Sequence, residues 1–127
     1  METNVDQRIG ELTRRMLRKK LYVVFSTANA APERIRQVLP LHLEYMIDLE
    51  KRGLVFASGP LTAEGGEPRG DGMTILRAAG ADEARRIAEA DPFFANGLRT
   101  IEVREWTVME GSLGLKVNLS DQSIEIA

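Results

Sequence analysis

The sequence predicts an α+β domain of ferredoxin-like topology, a split β-α-β pair with both helices on one face of a sheet. Three observations predict it. β-Branched and aromatic runs alternate with runs of helical period in the order β-α-β-β-α-β. Glycine or proline punctuates the joins, at Gly53, Gly59-Pro60 and Asp91-Pro92. The first two strand-like runs are apolar on both faces, although two helices can cover only one. A length of 127 residues suits one domain, and 43% apolar against 28% charged residues is the balance of a globular chain with a real core.

An extra helix comes first, from about Val5 to Lys19. Ile9, Leu12 and Met16 recur at helical spacing, and cations gather near its C-terminus, where the helix dipole favours them. Leu21-Tyr22-Val23-Val24-Phe25 is the first strand, with Leu21, Val23 and Phe25 on one face and Tyr22 and Val24 on the other. Ser26 to Pro32 is a loop. From about Glu33 to Arg52 the period turns helical, and Ile35, Val38, Leu39, His42, Tyr45, Met46 and Leu49 share a stripe. Pro40 lies inside this stretch and should either kink the helix or begin a second one after a short turn. Gly53 ends it.

Leu54 to Ser58 is the second strand, closed by Gly59-Pro60. Residues 61–72 hold Gly65, Gly66, Pro68, Gly70 and Gly72 and read as a flexible connection. Met73 to Arg77 is the third strand. The second core helix runs from about Asp82 to Ala90 with Ala84, Ile87 and Ala88 inward. Asp91-Pro92 stops it, because a residue before proline avoids the α region. Thr100 to Met109 alternates around Ile101, Val103 and Val108 and is the fourth strand. In the tail, Leu115/Val117/Leu119 and Ile124/Ile126 alternate on either side of a turn-like Ser120-Asp121-Gln122-Ser123. The whole reads as a single domain over 1–127, with a core at about 20–108, an N-terminal helix at about 5–19 and a C-terminal extension at 110–127.

Composition excludes several function classes. Net charge is −2, and the only dense basic run is Arg14, Arg15, Arg18, Lys19 and Lys20, so no nucleic-acid partner is expected. There is no cysteine, which removes disulfides, zinc–thiolate sites, iron–sulfur clusters and thiol nucleophiles, and is compatible with the expected cytoplasmic location. The basic run, the apolar Leu21 to Phe25 and Ala28-Asn29-Ala30-Ala31 imitate a signal peptide. Its apolar core is five residues long, below the usual ~7–15, and the basic run reads better as a helix end. No segment approaches the ~20 apolar residues of a membrane span, so no membrane partner is expected. The uncovered apolar sheet face calls for a cover, and a second copy of the chain is the simplest one.

The only histidine, His42, sits near the middle of the apolar stripe of the long helix. It is either a core histidine with a satisfied hydrogen bond or a general base at the bottom of a pocket. Asp91 extends the inward stripe of the second core helix. Two helices side by side on one sheet would point both residues toward the same region, where a carboxylate fixes the imidazole tautomer and makes the other nitrogen more basic. The plainer reading of Asp91 is a helix-end turn residue. Ser58 supplies the third residue type of a nucleophilic triad but lacks a nucleophile-elbow motif. Ser58-Gly59-Pro60 reads better as the wall of a cleft, with Gly59 allowing close backbone approach. Gly65 to Gly72 lacks the Lys-Ser/Thr of a P-loop. Glu44 and Asp48 lie one turn apart with no second histidine, so no metal site is expected. Phe93, Phe94 and Trp106 either line an aromatic-accepting pocket or are plain core.

The run Pro40-Leu41-His42-Leu43, the run Leu49-Glu50-Lys51-Arg52-Gly53-Leu54-Val55-Phe56-Ala57-Ser58-Gly59-Pro60 and the run Ala88-Glu89-Ala90-Asp91-Pro92-Phe93 resemble the YciI-like (YCII-related) family over roughly residues 20 to 108. The resemblance implies a ferredoxin-like fold that dimerises as an α+β barrel. It also implies a His–Asp dyad in a cleft, carried here by His42 and Asp91. Some similar proteins are dehydrochlorinases of hydroxylated chloroaromatics, and the wider superfamily includes muconolactone isomerases. The N-terminal helix and the tail after Met109 depart from the short family form.

The expected function is therefore a cofactor-independent small-molecule lyase or isomerase. It would act on a hydroxylated cyclic compound by proton transfer or dehydrochlorination-type elimination. His42 would be the acid/base, oriented by Asp91, and Ser58, Gly59, Pro60 and Phe93 would line the substrate cleft. Two rivals stand beside it: a non-catalytic ligand-binding module of the same fold, and an oligomerisation element. The assembly expected is a homodimer or higher even oligomer.

Overall fold

The computed structural model describes residues 4–127. The chain forms two compact units, Lys20–Thr107 and the two chain ends, the latter comprising the described residues before Lys20 together with Val108–Ala127. The elements in order are α1 (Asn4–Thr13), β1 (Lys19–Ala28), α2 (Pro32–Lys51), β2 (Val55–Thr62), β3 (Pro68–Leu76), α3 (Ala81–Glu89), α4 (Pro92–Ala95), β4 (Arg99–Val108), β5 (Leu115–Val117) and β6 (Ile124–Ile126).

The larger unit is a four-stranded sheet in the order β2-β3-β1-β4. β1 runs antiparallel to β3 with Tyr22 opposite Leu76 and Val24 opposite Thr74, and β2 runs antiparallel to β3. Putting β1 and β3 in the centre and the sequence-adjacent β2 at an edge is the ferredoxin-like arrangement. On the helix-covered face Tyr22, Val24 and Leu76 pack with Ala84 and Ala88 of α3, and Val55, Ile101 and Val103 close over them. A second cluster joins Ile35 and Val38 of α2 to Phe93 of α4 and Leu98. The Tyr45 hydroxyl donates a 2.7 Å hydrogen bond to the Ile87 carbonyl and so ties α2 to α3. Burial, reinforced by nearby Asp91, raises the Tyr45 phenol above its ordinary pKa, so it keeps this proton.

α2 is one helix through Pro40, with Pro32 in its first turn. Its end is a Schellman motif: Leu54 N–H donates to Leu49 O and Gly53 N–H to Glu50 O, both at 2.9 Å. Gly53 holds φ +77°, which a residue with a Cβ adopts only with strain. The helix carries two apolar stripes. Ile35, Val38 and Leu49 are buried, whereas Leu39, Leu43 and Ile47 recur four apart and are exposed. Leu39, expected inward, belongs to the exposed stripe.

Several boundaries differ from the sequence expectation: β1 runs on through Ala28, into residues expected as loop. The residues expected as a flexible connection mostly form strand: β2 continues to Thr62, and β3 begins at Pro68. An edge strand tolerates Pro60, because its amide can face away from the ladder. Register shifts at Val55/Ala57 and Leu61/Thr62 absorb the irregular positions. α1 stops at Thr13, and Arg18 takes φ +53°, so Lys19 and Lys20 open β1 instead of ending the helix. α4 is a four-residue helix that the sequence reading did not include.

In the smaller unit α1 buries none of its residues. β5 and β6 pair antiparallel, Leu115 opposite Ile126, across a turn in which the Asp121 carboxylate accepts from Ser123 N–H at 3.0 Å. This pairs the two alternating runs of the tail with each other. No helix among the described residues is long and apolar enough to cross a membrane.

Candidate active site

His42 occupies the third turn of α2, on the stripe that faces the sheet and α4. Asp91 immediately precedes Pro92, the first residue of α4, and is the N-cap of that helix. Aspartate is among the preferred N-cap residues, and proline suits the first helical position because its missing N–H would have no helical partner there. Asp91 Oδ1 accepts from Phe93 N–H at 2.9 Å. The same carboxylate meets the imidazole, with Nδ1 of His42 at 2.9 Å from Oδ1 and 2.8 Å from Oδ2. The two side chains are only 13% and 16% exposed. Asp91 is thus a helix-end residue and a histidine partner at once.

In a neutral imidazole, a carboxylate at Nδ1 selects the tautomer with its proton there and the lone pair on Nε2. Nε2 has no hydrogen-bond partner among the described residues. The ring lies on Phe93, with centroids 4.4 Å apart and planes at 29°. Phe93 is 1% exposed and belongs to the second core cluster, so the platform under the imidazole is rigid.

His42, Ser58, Gly59, Pro60 and Phe93 all line one open groove of about 970 Å³ between α2 and the β2–β3 hairpin. The exposed α2 stripe of Leu39, Leu43 and Ile47 forms part of the same wall. The volume accommodates a small organic ligand, and the apolar wall with a few polar groups is the usual make-up of such sites. A void of about 20 Å³ adjoins it, sharing Phe93 and Arg99 and adding Asp91, and has space for about one water. Ser58 Oγ shares a 2.7 Å hydrogen bond with the Thr74 hydroxyl and lies 3.3 Å from the Met73 carbonyl oxygen. These contacts hold it as part of the wall.

The sequence reading missed Arg99. This first residue of β4 projects onto the helix-covered face, as do Ile101 and Val103 two and four residues on. Its guanidinium carbon lies 4.2 Å from the Phe93 ring centroid. It lines both the groove and the small void. The one local signal was an arginine directly ahead of the inward apolar pair Ile101 and Val103. Among the described residues no group of three or more His, Cys, Asp or Glu side chains is placed to hold a metal ion.

The model of the YCII-related domain family matches residues 20–107, the same bounds as the larger structural unit. No curated protein matches the chain. Among solved structures it is similar to 5-chloro-2-hydroxyhydroquinone dehydrochlorinase from Burkholderia phenoliruptrix, determined in complex with 2,5-dihydroxybenzoquinone. The two share 20% sequence identity over 68% of this chain and 93% of that one, with a TM-score of 0.53. At this identity the likeness is one of fold.

Proposed function

This chain belongs to the YCII-related domain family, and from that premise we propose that it is a cofactor-independent lyase or isomerase in which His42 exchanges a proton with a hydroxylated cyclic substrate. The observation that carries the reading is the contact between His42 Nδ1 and both Asp91 oxygens, which leaves Nε2 unpartnered on a side chain that lines the groove. In an elimination, Nε2 removes a proton from the substrate. The electron pair of the broken bond moves into the ring system, and chloride departs with the carbon–chlorine pair, for a net loss of HCl. In an isomerisation the same nitrogen returns the proton at another position. Asp91 stabilises the imidazolium formed in either case. The neighbour's dehydrochlorinase activity and its quinone ligand support this choice of substrate class. The rival is a ligand-binding module of the same fold, with a groove that binds without turnover.

The test is chloride release and lactone isomerisation by purified protein offered chlorinated hydroxyhydroquinones and muconolactone-type substrates. Asp91→Asn sharpens it. Asparagine caps helices as well as aspartate, so α4 and the melting temperature should change little. Its single oxygen can satisfy Phe93 N–H while its amide nitrogen donates to His42 Nδ1. That moves the imidazole proton to Nε2 and removes the base. We expect turnover to fall by about 10²-fold or more with binding retained. Wild-type turnover in Asp91→Asn would remove the dyad from the reaction.

The assembly we propose is a homodimer or higher even oligomer. Phe25 and Trp106 on β1 and β4 are 36% and 37% exposed, an apolar surface that a second copy would cover. Sedimentation should give at least twice the chain mass at micromolar concentration, with a total interface on the order of 1,200–2,000 Å². A single monomeric boundary would defeat the proposal.

A further inference from the structure

Arg99 is held in the groove without a partner. It makes no ion pair and no side-chain hydrogen bond among the described residues, and its Nε is buried with no acceptor. The two carboxylates that act on it through space are both engaged elsewhere. Asp91 accepts from Phe93 N–H and meets the His42 ring, and Asp71 Oδ1 accepts from Ala28 N–H at 2.8 Å. Burial pulls the guanidinium below the usual arginine pKa, and Asp91 and Asp71 oppose that shift.

The backbone makes room for this group. A Cβ added at Gly72 of β3 would sit 3.2 Å from Arg99 Nη1 and 3.6 Å from Nη2. A side chain there would therefore press on the guanidinium, and glycine leaves its path to the groove clear. On its other contact the guanidinium packs against Phe93, the same ring that carries the imidazole of His42. A half-buried cation with unused donors is costly to hold unless something supplies acceptors. Among the described residues none does.

We infer that Arg99 is the anion-binding group of the groove, and that its ligand is the delocalised oxyanion of a planar ring, a phenolate or enolate oxygen presented beside His42. The planar fork of donors matches such oxygens, and the apolar wall formed by Leu39, Leu43 and Phe56 matches the ring that bears them. An anion bound here also lowers the cost of forming negative charge on the ring when its proton leaves. The inference deepens the proposed function, resting on the groove as the ligand site, but it does not depend on turnover.

The experiment titrates the full chain with 4-nitrophenol at a pH where it is ionised, and with the neutral, near-isosteric 4-nitroanisole, by calorimetry. Wild type should prefer the phenolate. Arg99→Met, which keeps length and packing against the aromatic ring, should lose about 10- to 100-fold in phenolate affinity and leave anisole affinity unchanged. Arg99→Lys should retain part of the preference as a point charge. Without ligand, Arg99→Met should melt at or above the wild-type temperature, because an unpaired half-buried charge has been removed. Equal phenolate affinity in wild type and Arg99→Met overturns the inference, as does a wild type that binds neither probe. A marked loss of stability in Arg99→Met also overturns it, by making the residue structural. The two proposals fail separately. Arg99-dependent binding with no turnover of any substrate leaves this one standing and removes the enzyme reading. Turnover that is indifferent to Arg99→Met does the reverse.

Discussion

Replacing His42 with alanine is expected to lower turnover by about 10²–10⁴-fold while the protein stays folded. The size of the effect follows from what the residue alone supplies. It is the only imidazole in the chain, and no other side chain of the groove combines a lone pair with a carboxylate fixing its opposite side. The structural cost is bounded. The truncation removes one hydrogen-bonded contact and one stacking contact, and Asp91 keeps its bond from Phe93 N–H, so about 1–3 kcal/mol is the expected loss of stability. The variant should therefore show native circular dichroism and still bind an aromatic ligand, while chloride release or isomerisation falls away. A His42→Ala variant that turns over at the wild-type rate would make the histidine an ordinary core residue.

The largest stability effect is expected at Phe93. Phe93→Ala should cost about 3–5 kcal/mol, read from the urea midpoint at unchanged slope. The ring is 1% exposed and sits among Ile35, Val38 and Leu98, so its removal opens a cavity that α2 and α4 cannot collapse to fill. It is also the surface against which the His42 ring and the Arg99 guanidinium both rest, 4.4 Å and 4.2 Å from its centroid. Phe93→Leu, which keeps most of the volume, should recover the larger part of the stability but not the flat platform. Activity would then stay low in a protein that is nearly as stable as wild type. If Phe93→Ala costs less than about 1 kcal/mol, the ring is not the keystone of the second cluster.

The order of elements was readable because the period changes cleanly along the chain. Tyr22 and Val24 alternate, Ile35, Val38 and His42 recur at helical spacing, and Gly53 and Pro92 mark ends that the structure places within a residue or two. His42 and Asp91 were readable as neighbours because each continues the inward stripe of a helix on the same sheet face. What escaped notice has physical causes. The stretch from Leu61 to Gly72 has the composition of a loop, and only the pairing of β2 with β3 as a hairpin, a property of the assembled fold, makes most of it strand. α4 is too short to show a period. Arg99 looks like any surface arginine until Gly72, two strands away in the sheet, is seen to leave it space. Leu39 was assigned to the buried stripe because a pattern of apolar residues does not say which of two adjacent stripes the core will take.

The Asp91 carboxylate binds a backbone amide on one side and an imidazole on the other, and this gives the site a built-in reporter. The Phe93 N–H is hydrogen-bonded to Oδ1, one oxygen of the carboxylate that meets the imidazole and whose surroundings change when the groove engages a ligand. Its amide resonance is therefore coupled to the chemical state of the groove. A single backbone signal in a nitrogen–proton correlation spectrum can follow occupancy and ionisation during a ligand screen, before any reaction product has been identified.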